Sequence, residues 1–428
     1  MKLVRKQPEV RPEFPPAEPA PMEAARIARG HAQHLAGELG PRPAGSAAER
    51  AALDYAESIL RSLGLQPQRQ QFWAMRSAWL PFLNASLIAL IGIGLWLLLG
   101  RSLLATYLGA LGCGFALWEV YARLNFGWTP VTGLAPRTQS GNVYAVVPPA
   151  ESEGRHAVLF AHVDTQRTPL FSRSRGTLLA FLVVFYIGFA ILALTLVALV
   201  ASWFAELVLP AWAGLPAICV CLLAAAAMLQ AELSPHTPGA NDNASSVGLT
   251  LALAQCFQKA PLRHTKLWFV FTGAEETGCA GAAAFLDGVA EELMQAYVIA
   301  LEGVGAAWPS YSLREGMLRR YRSNSELIRL AERVSRSKPE LRMRPVRLPI
   351  GYTEAGQAAK KGYRSLAIVG TDERGYLPYW HTPKDDPSHL QEECLAAAYD
   401  AVVQLLRELD QLPVSIKLSA VKPLSQRS

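Results

Sequence analysis

The chain has 428 residues, 51% of them hydrophobic and 18% charged, which is more apolar than a purely soluble enzyme of this length needs. Its net charge of +6 comes from scattered arginines such as Arg319, Arg320, Arg322 and Arg329, which read as a solvated face and argue against a nucleic-acid partner. The six cysteines form no paired framework, which argues against a disulfide-built secreted fold.

The opening stretch "MKLVRKQPEVRPEFPPAEPAP" has no apolar core of the signal-peptide kind and reads as a flexible, proline-rich tail over 1–21. Residues 22–79 follow with two segments of helical spacing. In the second, Ser46 stands as an N-cap with Glu49 three positions on. Four long apolar runs come next, at 80–100, 102–118, 177–200 and 207–231. Each is about the length needed to cross a bilayer, and the plainer reading as buried soluble helices fits poorly because such helices are usually shorter and broken by charge. They fall into two hairpins, 80–122 and 177–231, that interrupt a soluble unit made of 22–79, 123–176 and 232–428. Arg76, Arg123, Arg173 and Arg175 flank the runs on the side of that unit, with Arg101 and Glu206 in the two links opposite. The lysine and arginine bias therefore predicts a cytoplasmic soluble unit.

Within that unit, "GNVYAVVP", "HAVLFAHVD", "TKLWFVFTG", "QAYVIALEGVG" and "SLAIVG" read as buried strands. A helix over 244–257 and a long closing helix lie among and after them. Strands alternating with helices predict an α/β sandwich on a mostly parallel sheet, with function gathered beyond the carboxyl ends of the strands. The polar clusters lie at such ends. "AHVDT" carries His162 and Asp164, "GANDNASS" carries Asp242, "GAEETG" carries Glu275 and Glu276, "LEG" carries Glu302, and "YWHTPKDD" carries His381. Two histidines with several carboxylates form a nitrogen and oxygen donor set that suits zinc, with manganese or cobalt as alternatives. A dication explains why Glu275 and Glu276 stand side by side: one carboxylate is compensated and the other stays free as a base.

Each residue taken alone has a plainer reading. His162 could be a satisfied structural histidine, Asp242 a helix cap, Glu275 and Glu276 a solvated helix start, and His381 a loop histidine packed under Trp380. His236 and His264 read as surface residues, Asp385 and Asp386 as capping or supporting groups, and Tyr352 as a candidate donor to an oxyanion.

The order of these motifs, with "GPRPAGSAAERAALDYAESILRSLG" before them, resembles the M28 family of zinc aminopeptidases from Gly40 to the last helix. The resemblance implies an α/β/α sandwich of the zinc-exopeptidase type, here with four transmembrane helices inserted. It also implies two zinc ions per chain. Asp242 would bridge them, His162 and Glu302 would complete one site, and Glu276 and His381 the other. Glu275 would be the general base for a water activated between the ions, Asp164 would orient His162, and the Asp242–Asn243 bond would be cis. The implied substrate is a peptide with a free N-terminus, and the implied setting a bacterial inner membrane with the lipid bilayer as partner. Two departures stand out: Glu302 takes a position where many relatives have Asp, and Thr353-Glu354-Ala355 replaces a common Ser-Asp-His stretch. Rival readings keep the fold and change the chemistry, either to a single-zinc aminoacyltransferase of the glutaminyl-cyclase kind or to a non-catalytic membrane scaffold. A transporter needs polar groups inside the spans, and Asn84, Thr106 and Tyr186 offer little.

Overall fold

The computed structural model describes residues 19–99, 102–204, 209–293 and 295–413. One nine-stranded sheet organises the chain: β1 (Gln68–Met75), β2 (Arg137–Val147), β3 (Arg155–His162), β4 (Thr265–Thr272), β5 (Tyr297–Glu302), β6 (Pro309–Glu315), β7 (Tyr321–Arg322), β8 (Arg344–Arg347) and β9 (Arg364–Gly370). The spatial order is β1-β2-β4-β3-β5-β9-β6-β7, with β8 attached to β6. Pairing is parallel through the centre, β4-β3-β5-β9, and the flanks pair with it antiparallel at β2 and β6. Parallel order is thus confined to the middle of the sheet and the β6–β8 pair.

The central strands are buried along nearly their whole length, as continuous apolar runs require when both faces are covered. Alternate residues serve opposite faces. Leu159, Phe269 and Ile299 pack with Leu249 and Leu405 on one side, while Val158, Phe160 and Val270 pack with Phe285 on the other. The result is a helix–sheet–helix sandwich. Ser46 caps the helix Ala47–Ser62 by accepting from the amide of Glu49.

Four helices are long and apolar enough to cross a membrane: Leu80–Leu98, Leu103–Arg123, Arg175–Ala201 and Ala211–Leu233. They share one apolar core, in which Ile93, Cys113, Leu199 and Cys221 come from four different helices. The first pair packs backbone to backbone. A Cβ on Gly92 would lie 2.8 Å from Leu108 O and 2.9 Å from Gly112 Cα, so only glycine permits this approach.

The second helix runs past the predicted end at 118 to Arg123 and buries its last turn in the sandwich. Arg123 is therefore not a free flanking cation: it is 9% exposed and donates to Thr277 O at 3.0 Å. Arg101 and Glu206, the counterweights in the orientation argument, lie outside the described residues, as does the tail up to residue 18.

Gly112→Leu should cost about 1–3 kcal/mol by overpacking the Gly92 contact. Gly94→Leu, where a Cβ meets nothing within 4 Å, should be near neutral. Thermal melting of the two variants in detergent measures the difference, and equal melting would refute the close contact.

Candidate metal centre

The register of the parallel strands brings the polar clusters to one edge. His162 ends β3 opposite Thr272, the last residue of β4, and Glu302 ends β5 opposite Val369 of β9. Glu275 and Glu276 follow β4 within a few residues, so the turn there delivers both to the same end of the sheet. Asp242 lies in the tight segment Ala240–Ser245 that feeds the helix Ser246–Lys259, and the Asp242–Asn243 bond is cis. His381 sits in the loop before the last helix with φ 53°, a left-handed conformation that a side chain adopts only when its surroundings require it.

These groups converge. His162 Nε2 lies 3.3 Å from Asp242 Oδ1 and 3.5 Å from Glu302 Oε1. His381 Nε2 lies 3.4 Å from Asp242 Oδ2 and 3.2 Å from Glu276 Oε2. Asp242 thus turns one oxygen to each histidine. His162–Asp242–Glu302 and Asp242–Glu276–His381 each form a set of donor atoms within 4.8 Å of one another. Glu275 Oε1 accepts the Cys279 thiol at 2.9 Å, and Glu275 Oε2 lies 3.9 Å from His162 Nε2. His381 also stacks on Trp380, ring centroids 3.9 Å apart, so the plainer packing reading and the cluster position hold together.

The donor set fits a bound cation. Asp164, Asp242, Glu275, Glu276, Glu302 and Glu354 crowd around two imidazoles with almost no exposure to water. Asp242 Oδ1 and Glu276 Oε1 are buried with no hydrogen-bond donor of their own. Burial pushes the Glu275 and Glu302 carboxyls well above the usual range, with His162 opposing and neighbouring carboxylates adding. Burial alone would lower His162, but the Glu302 and Glu275 carboxylates beside it, with Asp164 and Asp242 facing its ring nitrogens, raise it well above its ordinary value. Such a cluster has an excess of negative charge that a divalent cation neutralises.

Supporting groups go further than the sequence indicated. Asp164 lies 3.5 Å from His162 Nδ1, and its two oxygens also accept from the amides of Glu275 at 3.0 Å and Glu276 at 3.1 Å. One carboxylate thus contacts His162 and fixes the backbone of both glutamates. Asp385 accepts from the amides of Asn241 and Asp242, and burial beside Asp242 pushes it up to about 8. Asp386 caps an exposed turn at Ser388. Glu354 accepts from Thr272 Oγ1 at 2.9 Å beneath the cluster. Tyr352 donates its hydroxyl to Arg123 O at 3.2 Å, so that group is engaged away from any oxyanion.

Arg42 was not singled out by any motif. It is fully buried and donates to the carbonyls of Val163, Leu35, Gly40, Pro238 and Gly239 at 2.7–2.9 Å. It therefore ties the residue after His162 to the segment that leads into Asp242. An arginine between two prolines was the only local signal, and nothing in the sequence names its partners.

The fold is an α/β sandwich similar to those of zinc exopeptidases. Residues 226–406, less than half of the chain, match Peptidase family M28. Aminopeptidase YwaD of Bacillus subtilis (strain 168) is 26% identical over 200 residues, 43% of this chain. The chain spans about two fifths of that relative's length, 41%. Among solved structures, the zinc aminopeptidase BSAP from Bacillus subtilis superposes with a TM-score of 0.53 at 16% identity, covering 90% of this chain and 95% of its own. The glutaminyl cyclase of Fimbriiglobus ruber superposes with a TM-score of 0.55 at 13% identity, covering 93% and 99%. At these identities the two superpositions establish the shared fold.

Arg42→Met should destabilise the protein by about 2–4 kcal/mol, because several buried carbonyls lose their donor. Denaturant unfolding of the variant measures this, and a change below about 0.5 kcal/mol would remove Arg42 from the role.

Proposed function

We propose that this protein is a membrane-anchored zinc exopeptidase that hydrolyses the peptide bond after a substrate's free N-terminal residue. The observation that carries the reading is the double-facing Asp242, with one oxygen toward His162 and the other toward His381. A carboxylate so placed could serve both halves of a two-ion site. His162 and Glu302 would hold one zinc, and Glu276 and His381 the other. When bound, zinc supplies Lewis-acid charge that makes a water nucleophilic near neutral pH and polarises the scissile carbonyl.

The chain's own residues then carry the proton. Glu275 Oε1 is occupied by the Cys279 thiol, which leaves Oε2 turned to the cluster. That oxygen takes the proton of the attacking water and returns it to the leaving amine, a transfer that requires a carboxylate close to the reacting atoms and not bound to metal. Asp164 holds the Glu275 and Glu276 amides on one carboxylate, so base and ligand keep a fixed spacing. The arginine bias at the helix ends favours a cytoplasmic site, with the four apolar helices as anchor in a bacterial inner membrane.

Zinc per chain on detergent-purified protein tests the reading. We expect about two zinc ions in the wild type and in Glu275→Gln, fewer in His162→Ala, and a loss of turnover of roughly 10²–10⁴-fold in Glu275→Gln. Full activity in Glu275→Gln would remove it as base. One zinc with a pyroglutamate product would favour aminoacyl transfer of the cyclase kind instead.

A further inference from the structure

We propose that the substrate of this site is a bilayer-embedded peptide with an apolar N-terminal segment, admitted sideways between the helices Arg175–Ala201 and Leu215–Leu233. The inference rests on the exopeptidase reading and names its substrate class. A single cavity of about 910 Å³ has Glu275, Glu302 and His381 at one end and Phe82, Phe181 and Leu223 of the apolar helices along its walls. Its size is at the upper end for ligand sites, room for a run of residues and not only for the terminal one. Whatever fills it touches both the carboxylates and the apolar helices.

The opening follows from how two helices pack. They meet at Gly188, where a Cβ would come within 2.6 Å of Val220 Cγ1. One turn nearer the sandwich, Val184 on one and Leu223 on the other both line the cavity and are 43% and 53% exposed, so the cavity reaches the outer surface between them. Val184 lies about 13 Å along its helix from Arg175, at a depth where a bilayer is apolar. A side chain entering there passes between the apolar Val184 and Leu223.

A peptide suits this cavity better than a lipid tail. Arg175 lines it with Nε buried and unpartnered, its guanidinium 4.7 Å from the Tyr376 ring centroid, and Arg173 and Lys384 lie on the same wall. The buried Arg175 Nε needs an acceptor inside the chamber, while the exposed Arg173 and Lys384 are solvated at its rim. A peptide offers a carbonyl at every residue and an ammonium for the acidic end, whereas an acyl chain offers neither.

The test compares two substrates in proteoliposomes containing the full chain: leucine p-nitroanilide from solution, and an apolar peptide of about 20 residues with a free N-terminus reconstituted in the bilayer. Release of the N-terminal residue is read by mass spectrometry. Val184→Trp and Leu223→Trp, which narrow the gap, should lower cleavage of the bilayer peptide about tenfold or more and change that of the anilide less than about twofold. Val183→Trp, the same bulk at an exposed neighbouring position that does not line the cavity, should retain both activities. Equal loss on both substrates in the Val184 and Leu223 variants with Val183→Trp intact, or no loss on either, would overturn the lateral route. Wild type that cleaves the anilide and leaves the bilayer peptide untouched would overturn the substrate class while sparing the exopeptidase reading. Wild type that cleaves neither would overturn both.

Discussion

The density of buried negative charge at the carboxyl edge of the central strands is the constraint around which the rest of the structure is arranged. Parallel strands end together by construction, so four loops can deliver acids to one place without any long reach. Left alone, that many carboxylates in a dry pocket would take up protons, as the upward shifts at Glu275 and Glu302 indicate. A bound cation would reverse that preference and couple its own binding to the order of the loops.

Three buried groups keep the site in register, each by holding backbone. Asp164 fixes the amides of Glu275 and Glu276, Asp385 fixes those of Asn241 and Asp242, and Arg42 gathers carbonyls from the segments beside His162 and Asp242. Side chains at strand ends inherit the stiffness of the sheet. Side chains on the intervening loops, Asp242 and His381, need this second set of bonds to acquire it.

The sequence made the chemistry readable and the frame opaque, for a physical reason. The candidate site residues His162, Glu275, Glu276 and Glu302 stand at or just after strand ends, where the switch from an apolar run to an acid or histidine is a local signal, and Asp242 and His381 join them from loops. The five central or near-central strands were legible from their apolar runs. The edge strand β1, "QRQQFWAM", was not, because its residues are mostly exposed or half-buried and its polar composition carries no burial pattern. The strands β6 to β8 were missed as well, since β7 has two residues and β8 includes a proline. Arg42 escaped because all its partners are main-chain carbonyls from distant segments, and a carbonyl leaves no mark on a sequence.

The apolar helices were the easiest elements to read and the hardest to place. Length and composition announced them, yet nothing in either indicated that the second would continue into the sandwich. Its last turn brings Arg123 to the carbonyl of Thr277, two residues beyond Glu275, and its carbonyl receives Tyr352. A Cβ at Gly278 would lie 2.7 Å from that guanidinium, so the loop after Glu275 is shaped to accept it. The apolar helix thus touches the turn that carries Glu275 and Glu276. In this chain the helix end is part of the packing that fixes Glu275, and movement of the helices would be felt there first.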